Sequence, residues 1–223
     1  MSVITISREF GSQGSIIADK AAQALGYRLA DKDTVEAVLH DYGVTRLKDE
    51  YNSIPGFWDR FDTQKRDQRK NTLSVLNHAL CALARHDNVV ILGRGGFVIL
   101  QGYRDVLNVR VQAPLRVRIA RVQERLSLGE PGRAEEMVKA NDRLQREFIK
   151  SVYGADWLEA SAFDLVIDTS KFHPDLAVEL IVAGARALPA GDVAEPSIAD
   201  LQVDSILAEA AMDALNRVAA QTS

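Results

Sequence analysis

The sequence predicts an α/β fold, a three-layer sandwich with a mostly parallel sheet of about five strands between helices. Three observations predict it. Continuous β-branched runs such as Val3-Ile4-Thr5-Ile6 and Val89-Val90-Ile91-Leu92 suit parallel strands covered on both faces. Segments with helical apolar spacing alternate with these runs, which calls for right-handed crossovers. A length of 223 residues at 47% hydrophobic content can bury one substantial core, so one domain with an appendage fits better than two equal halves.

After the first strand, Ile16, Ile17, Ala21, Ala24 and Leu25 recur at helical spacing from about Ser15, and Gly26 ends the run as a C-cap would. Tyr27-Arg28-Leu29-Ala30 reads as a weak second strand and residues 33–41 as a helix. Residues 43–59 hold Gly43, Pro55 and Gly56 without periodicity, as a loop or flap does. A long helix is expected over 62–85, basic at first (Lys65, Arg66, Arg69, Lys70), then striped by Leu73, Leu76, Leu80 and Leu83. The strand 89–92 runs into Gly93-Arg94-Gly95-Gly96. Residues 106–111 form the next strand, and Pro114 starts a helix over 115–126. A charged helix over 134–152 follows the break Gly129-Glu130-Pro131-Gly132, then a last strand over 163–168 and a helix over 174–188. Residues 189–197 read as a linker. Beyond it Leu201, Ala208, Met212, Leu215 and Val218 share one helical face, which either docks on the core or makes a homodimer contact.

Several classes fall away. A net charge of −4 argues against a nucleic-acid binder. No run of about 18 apolar residues exists to span a membrane. The N-terminus has no leader pattern, and Cys81, the one cysteine, gives no disulfide and no thiolate cage. A cytoplasmic protein is expected.

The chemistry concentrates in Ile4-Thr5-Ile6-Ser7-Arg8-Glu9-Phe10-Gly11-Ser12-Gln13-Gly14-Ser15, a strand, a glycine-bearing turn and a helix start. Phosphate binds well there, because the first N–H groups of a helix have no partner and its dipole end is positive. The Walker A pattern G-x-x-x-x-G-K-S/T fails on a strict count: Arg8 and Gln13 stand at the glycine positions and Gly14 at the lysine position. Gly11, Ser12 and Ser15 remain compatible with it. An ordinary tight strand-to-helix turn is the plain alternative. No G-x-G-x-x-G follows the first strand, which disfavours a dinucleotide enzyme.

The span ISREFGSQGSIIADKAAQALGYRLADKD, the segment VVILGRGGFVIL, Tyr153-Gly154-Ala155-Asp156-Trp157 and DLVIDTSK resemble, in the same order over residues 2–188, the cytidylate kinase-like family of P-loop proteins. The resemblance implies a P-loop fold like that of nucleoside monophosphate kinases, with ATP as co-substrate, Mg²⁺, and a lysine-free S-R-E-x-G-S-x-G loop. Gly11, Ser12, Gln13, Gly14 and Ser15 would hold phosphate, with Ser15 a candidate for Mg²⁺. Its plain role is an N-cap. Arg8 would supply a cation in the lysine's absence, its plain role being a salt bridge with Glu9. Arg94 would grip the acceptor phosphate through its guanidinium fork. Asp31 would meet the acceptor or cap a helix, and Thr169 and Ser170 lie where the family holds the base. A lid near 129–156 offers Asp142, Arg143 and Arg146, although Gln145 and Glu147 stand where arginines are expected. Leu92 and Gly95 replace the aspartates of cytidylate kinases around the Gly93-Arg94 pair.

The expected organisation is a kinase-like domain over 1–188 with an acceptor flap near 33–85, the linker, and a helical tail over 198–223. Three functions stay open: a nucleoside monophosphate kinase acting on CMP, dCMP or a related acceptor; a nucleotide-binding sensor or scaffold that transfers nothing; and a kinase for another small acceptor.

Overall fold

Every side chain of Val89–Leu92 is buried, as a strand with helices on both faces requires. It is the third of five strands, all parallel: β1 (Val3–Arg8), β2 (Arg28–Ala30), β3 (Val89–Leu92), β4 (Val106–Gln112) and β5 (Leu165–Asp168), in the order β2-β3-β1-β4-β5. The computed structural model describes residues 2–43, 63–189 and 195–221. Most of the expected loop over 43–59 and the side chains of Lys65, Arg66, Arg69 and Lys70 lie outside the described parts.

Eight α-helices accompany the strands among the described residues: α1 (Gly14–Leu25), α2 (Lys32–Asp41), α3 (Thr63–Arg85), α4 (Gly96–Ile99), α5 (Leu115–Arg125), α6 (Pro131–Tyr153), α7 (Pro174–Ala187) and α8 (Ser205–Gln221). None is long and apolar enough to cross a membrane. The alternation of a strand sends successive side chains to opposite faces. Ile4 and Ile6 therefore pack with Ile17, Ala21, Val178 and Ile181 of α1 and α7. Val3 and Ile91 meet the other layer, Val35 and Leu39 of α2, Leu76, Leu80 and Leu83 of α3, and Leu207, Ala211 and Leu215 of α8. Each fully buried Leu or Ile contributes about 1.5–3 kcal/mol.

Three expectations change. First, α1 starts at Gly14, with Gln13 as its left-handed N-cap, so Ser15 is inside the helix and is not the cap. Second, α4 follows the Gly93-Arg94-Gly95 turn, a single helical turn too short to show as a periodic pattern. Third, the C-terminal helix docks on the core, one of its two expected placements, but along a different line of residues. The buried line of α8 is Leu207, Ala210, Ala211, Ala214 and Leu215, not Ala208, Met212 and Val218, which are half-buried. Alanines along that line let α8 approach closely, and it packs against α2, α3 and β2. The return path is pinned where Ser197 Oγ donates to Asp105 Oδ2 at 2.6 Å and the Ile198 N–H donates to Asp105 Oδ1 at 2.9 Å.

Candidate active site

The strand order sets the site. β1 lies between β3 and β4, so the turns leaving β1 and β3 are neighbours, and open α/β sheets take ligands at the carboxyl ends of such strands. The ladder extends past both strands: the Glu9 N–H donates to Val111 O at 3.1 Å and the Gly93 N–H to Ile6 O at 2.9 Å.

Over the β1 turn is a cleft of about 670 Å³, lined by the loop residues Arg8, Glu9, Gly11, Gln13, Gly14 and Ser15, by Ile16, by Arg121, Glu124 and Arg125 of α5, and by Asn141 and Gln145 of α6. Ile16 looks like a core residue in the sequence, yet it is 49% exposed and faces this cleft. A smaller hollow lies over the β3 turn, lined by Ser7, Arg8, Gly93, Arg94, Phe97, Gln145 and Trp157 among others. Arg8 and Gln145 line both. Arg94 is half-buried at a φ of +59°, a backbone state that side-chain-bearing residues adopt at a cost and that gathers at functional sites. Its carbonyl lies 3.4 Å from the Tyr153 hydroxyl, which donates to Asn77 Oδ1 at 3.0 Å. The end of α6 is thereby tied to both the Arg94 turn and α3.

Beneath the loop is a buried ionic network. Glu9 Oε1 accepts from Arg110 Nη2 at 3.3 Å; Glu9 Oε2 lies 3.2 Å from Arg118 Nε and accepts from the Ala113 N–H at 3.1 Å. Arg118 grips Asp142 with two bonds of 2.9 Å and also donates to the Phe10 carbonyl at 3.3 Å. Among the described residues the ion-pair partners of Glu9 are thus Arg110 and Arg118, which answer its charge from below. Burial pulls the Arg110 guanidinium down from its usual very high pKa, Glu9 and Asp142 opposing and Arg146 adding to the push. Arg110 also lies 4.7 Å over the Trp157 ring, and the Trp157 Nε1–H donates to Ser7 Oγ at 2.8 Å.

The remaining sequence candidates are distributed as follows. Ser12 is fully buried, its Oγ has no hydrogen-bond partner among the described residues, and its carbonyl accepts from Thr169 Oγ1 at 2.9 Å. Thr169 is buried and receives both Arg121 Nη1 at 2.9 Å and, on its carbonyl, Arg121 Nη2 at 2.7 Å. Neither Ser12, Thr169 nor Ser170 lines the cleft; they brace it. Ser170 donates its N–H to Asp168, whose carboxyl sits below its ordinary pKa: burial would raise it, and the Ser170 bonds with Lys171 and Arg121 outweigh that. Asp31 caps α2, its Oδ1 accepting from the Thr34 N–H and Oγ1 at 3.0 Å each. Arg143 and Arg146 are exposed on α6 and line neither cavity, whereas Asn141 and Gln145, one turn apart, do.

Arg121 and Arg125 escape the sequence reading. Their signal is spacing alone, two arginines four apart on one helix face, which also describes a solvated surface. Arg125 is anchored 5.2 Å over the Phe10 ring, at the loop itself. As for Mg²⁺, Ser15 brings a hydroxyl to the cleft and Leu92 puts no carboxylate at the end of β3. Such a residue set fits a Mg²⁺ held mainly by substrate phosphates and water, as that ion commonly is.

The chain matches the Cytidylate kinase-like family over residues 3–171. It is 29% identical to a cytidylate kinase of Ignicoccus hospitalis over 182 residues, 81% of this chain and 97% of that protein. It is 34% identical to a cytidylate kinase of Sulfolobus acidocaldarius over 96 residues, 43% of this chain and 52% of that protein, about half of that relative's length. Among solved structures, an uncharacterized protein from Eubacterium ventriosum shares the fold with a TM-score of 0.62 at 20% identity, covering 84% of this chain and 99% of that one. With a match that runs from the phosphate loop through the Arg94 turn to β5, the chain belongs to the cytidylate kinase-like family.

Proposed function

We propose that the protein is a nucleoside monophosphate kinase that transfers the γ-phosphoryl group of MgATP to the phosphate of CMP, dCMP or a related acceptor. One observation carries this reading: the loop cleft and the Arg94 hollow are neighbours, with Arg8 and Gln145 lining both. A triphosphate ending on the loop and a monophosphate held at Arg94 would meet there. Family membership and the cytidylate kinase relatives support the substrate class.

In the reaction an oxygen of the acceptor phosphate bonds to the γ-phosphorus while the bond from that phosphorus to the β–γ bridging oxygen breaks. The electron pair leaves with ADP. No proton need move when the acceptor phosphate is a dianion. The protein's work is positioning and charge neutralisation. The N–H groups at the start of α1 face the phosphates, Ser15 offers its hydroxyl to the magnesium that arrives with ATP, and Arg121 and Arg125 add positive charge along the α5 wall. Arg94 grips the acceptor phosphate with two parallel bonds. The helices α2 and α3 serve as the acceptor flap and α6 as the lid, within the ranges 33–85 and 129–156.

The test is ADP formation from ATP and Mg²⁺ with a panel of monophosphates. CMP or dCMP turnover is expected, with Arg94→Ala lowering kcat/KM by about 10²-fold or more while ATP binding persists. A nucleotide-binding sensor is the second reading, favoured by Leu92 at the end of β3 and by the uncharged Gln145 in the cleft wall. Tight ATP binding without ADP formation on any acceptor would select it. Turnover only with non-nucleotide acceptors would replace the substrate class.

A further inference from the structure

We propose that Arg8 performs the task of the missing P-loop lysine from the opposite end of the loop, touching the donor's terminal phosphate and the acceptor phosphate together, and that positions 8, 14 and 93 form one steric unit that makes this possible. The inference deepens the phosphoryl-transfer reading above and rests on it.

A Walker A loop carries its lysine just before the helix Ser/Thr, and that position is Gly14 here. Gly14 is the first residue of α1, so a side chain there would start from the place a P-loop lysine starts. No side chain can start there. A Cβ on Gly14 would lie 2.4 Å from Arg8 Cβ and 3.0 Å from Arg8 Cγ. The Arg8 stem runs over the Gly14 backbone and takes the lysine's room. The guanidinium end is equally constrained. A Cβ on Gly93 would lie 2.4 Å from Arg8 Nη1 and 3.3 Å from Arg8 Cζ, so the head rests against the turn that carries Arg94. Two glycines, one on each of the neighbouring turns, leave a channel one arginine wide.

The chemistry of the head follows from where it ends. A lysine at position 14 would bring one ammonium to the donor phosphates. Arg8 brings a planar fork with several donors to the wall that both cavities share. The other residue lining both is Gln145, which is uncharged. Charge spread over the equatorial oxygens of the transferring group would therefore meet Arg8, with its stem already fixed by the packing on Gly14.

Four variants test this: Arg8→Met, which keeps the stem and removes the charge; Arg8→Lys, which keeps the charge and removes the fork; Arg8→Gly; and Arg8→Gly with Gly14→Lys, which moves the cation to the Walker position. Two readouts are taken on each, ADP formation with the best monophosphate and the ratio of ATP to ADP affinity by calorimetry. Arg8→Met is expected to lower kcat by about 10²–10³-fold and to collapse the ATP preference. Arg8→Lys should lose about 10-fold. The double variant should recover at least about 10-fold in either readout over Arg8→Gly. Arg8→Met with kcat within about 3-fold of the parent and the ATP preference intact overturns the proposal, as does a folded double variant no better than Arg8→Gly. If the double variant does not fold, Arg8→Met and Arg8→Lys decide alone. If the parent protein transfers to no acceptor, the function proposed above fails while the ATP-to-ADP ratio still judges Arg8.

Discussion

Arg118 is a charged side chain only 5% exposed, held by Glu9, Asp142 and the carbonyls of Phe10 and Ala113. It joins the loop between β1 and α1, the start of α5 and the middle of α6 at one point. Removing one member of such a buried set leaves the others charged and unanswered, which costs far more than the set contributes against an apolar replacement. Arg118→Met should therefore lower stability by about 3–5 kcal/mol, read as a shift of the urea midpoint at unchanged slope. This network is the part of the site least legible in the sequence. Arg110 carries a hint, since it sits between Val109 and Val111 in a strand whose every other position is buried or nearly so. A charge inside a fully covered strand requires a partner, but which carboxylate supplies it is settled by tertiary packing. Glu9 and Arg110 are 101 residues apart. Gln145 shows the opposite case: it stands where the family resemblance calls for an arginine, and it lines both cavities.

The elements were far easier to read. β1 and β3 follow from continuous apolar runs, and the longer helices from 3.6-residue spacing, because both patterns are local. What the pattern on α8 did not reveal is which of two adjacent stripes goes inward. Leu201, Met212 and Val218 carry more apolar surface, yet the line of Leu207, Ala210, Ala211, Ala214 and Leu215 is the one buried against α2 and α3. Leu207, 1% exposed, is one of the two leucines in that line. Leu207→Ala should cost about 2–5 kcal/mol, whereas Ile206→Asp, at a side chain 64% exposed, should stay within about 0.5 kcal/mol. Thermal unfolding of the two variants measures the contrast. Equal effects would mean that α8 is not docked as described.

Over the whole molecule, α8 is fastened to the end of α2, to β2 and to the turn after α3. Arg217 pairs with Asp41 at the end of α2, His86 shares a 2.7 Å hydrogen bond with the Ala208 carbonyl, and Arg28 reaches Met212. The hydrogen bond from Arg217 is the main reason the Asp41 carboxyl lies below its ordinary pKa. A depressed folded-state pKa stabilises above the unfolded value and is lost as pH falls through the folded one. Asp41→Asn should therefore be less stable than the parent at neutral pH, with the gap closing below about pH 4. A gap that widens in acid would contradict the assignment.

The strand order has a consequence for how the molecule comes into being. β1 is made first but lies in the middle of the sheet, so both of its neighbours, β3 and β4, emerge from the ribosome some 80 to 100 residues later. Until then Ile4 and Ile6 can be covered from one side only, by α1. The other layer waits longer still, because Val35 and Leu39 of α2 have part of their cover in Leu207, Ala211 and Leu215. A nascent chain halted before Ser205 carries an open, sticky flank beside α2 and α3. Synthesis arrest and proteolytic clipping in the 189–205 region should thus produce aggregation rather than a smaller folded protein.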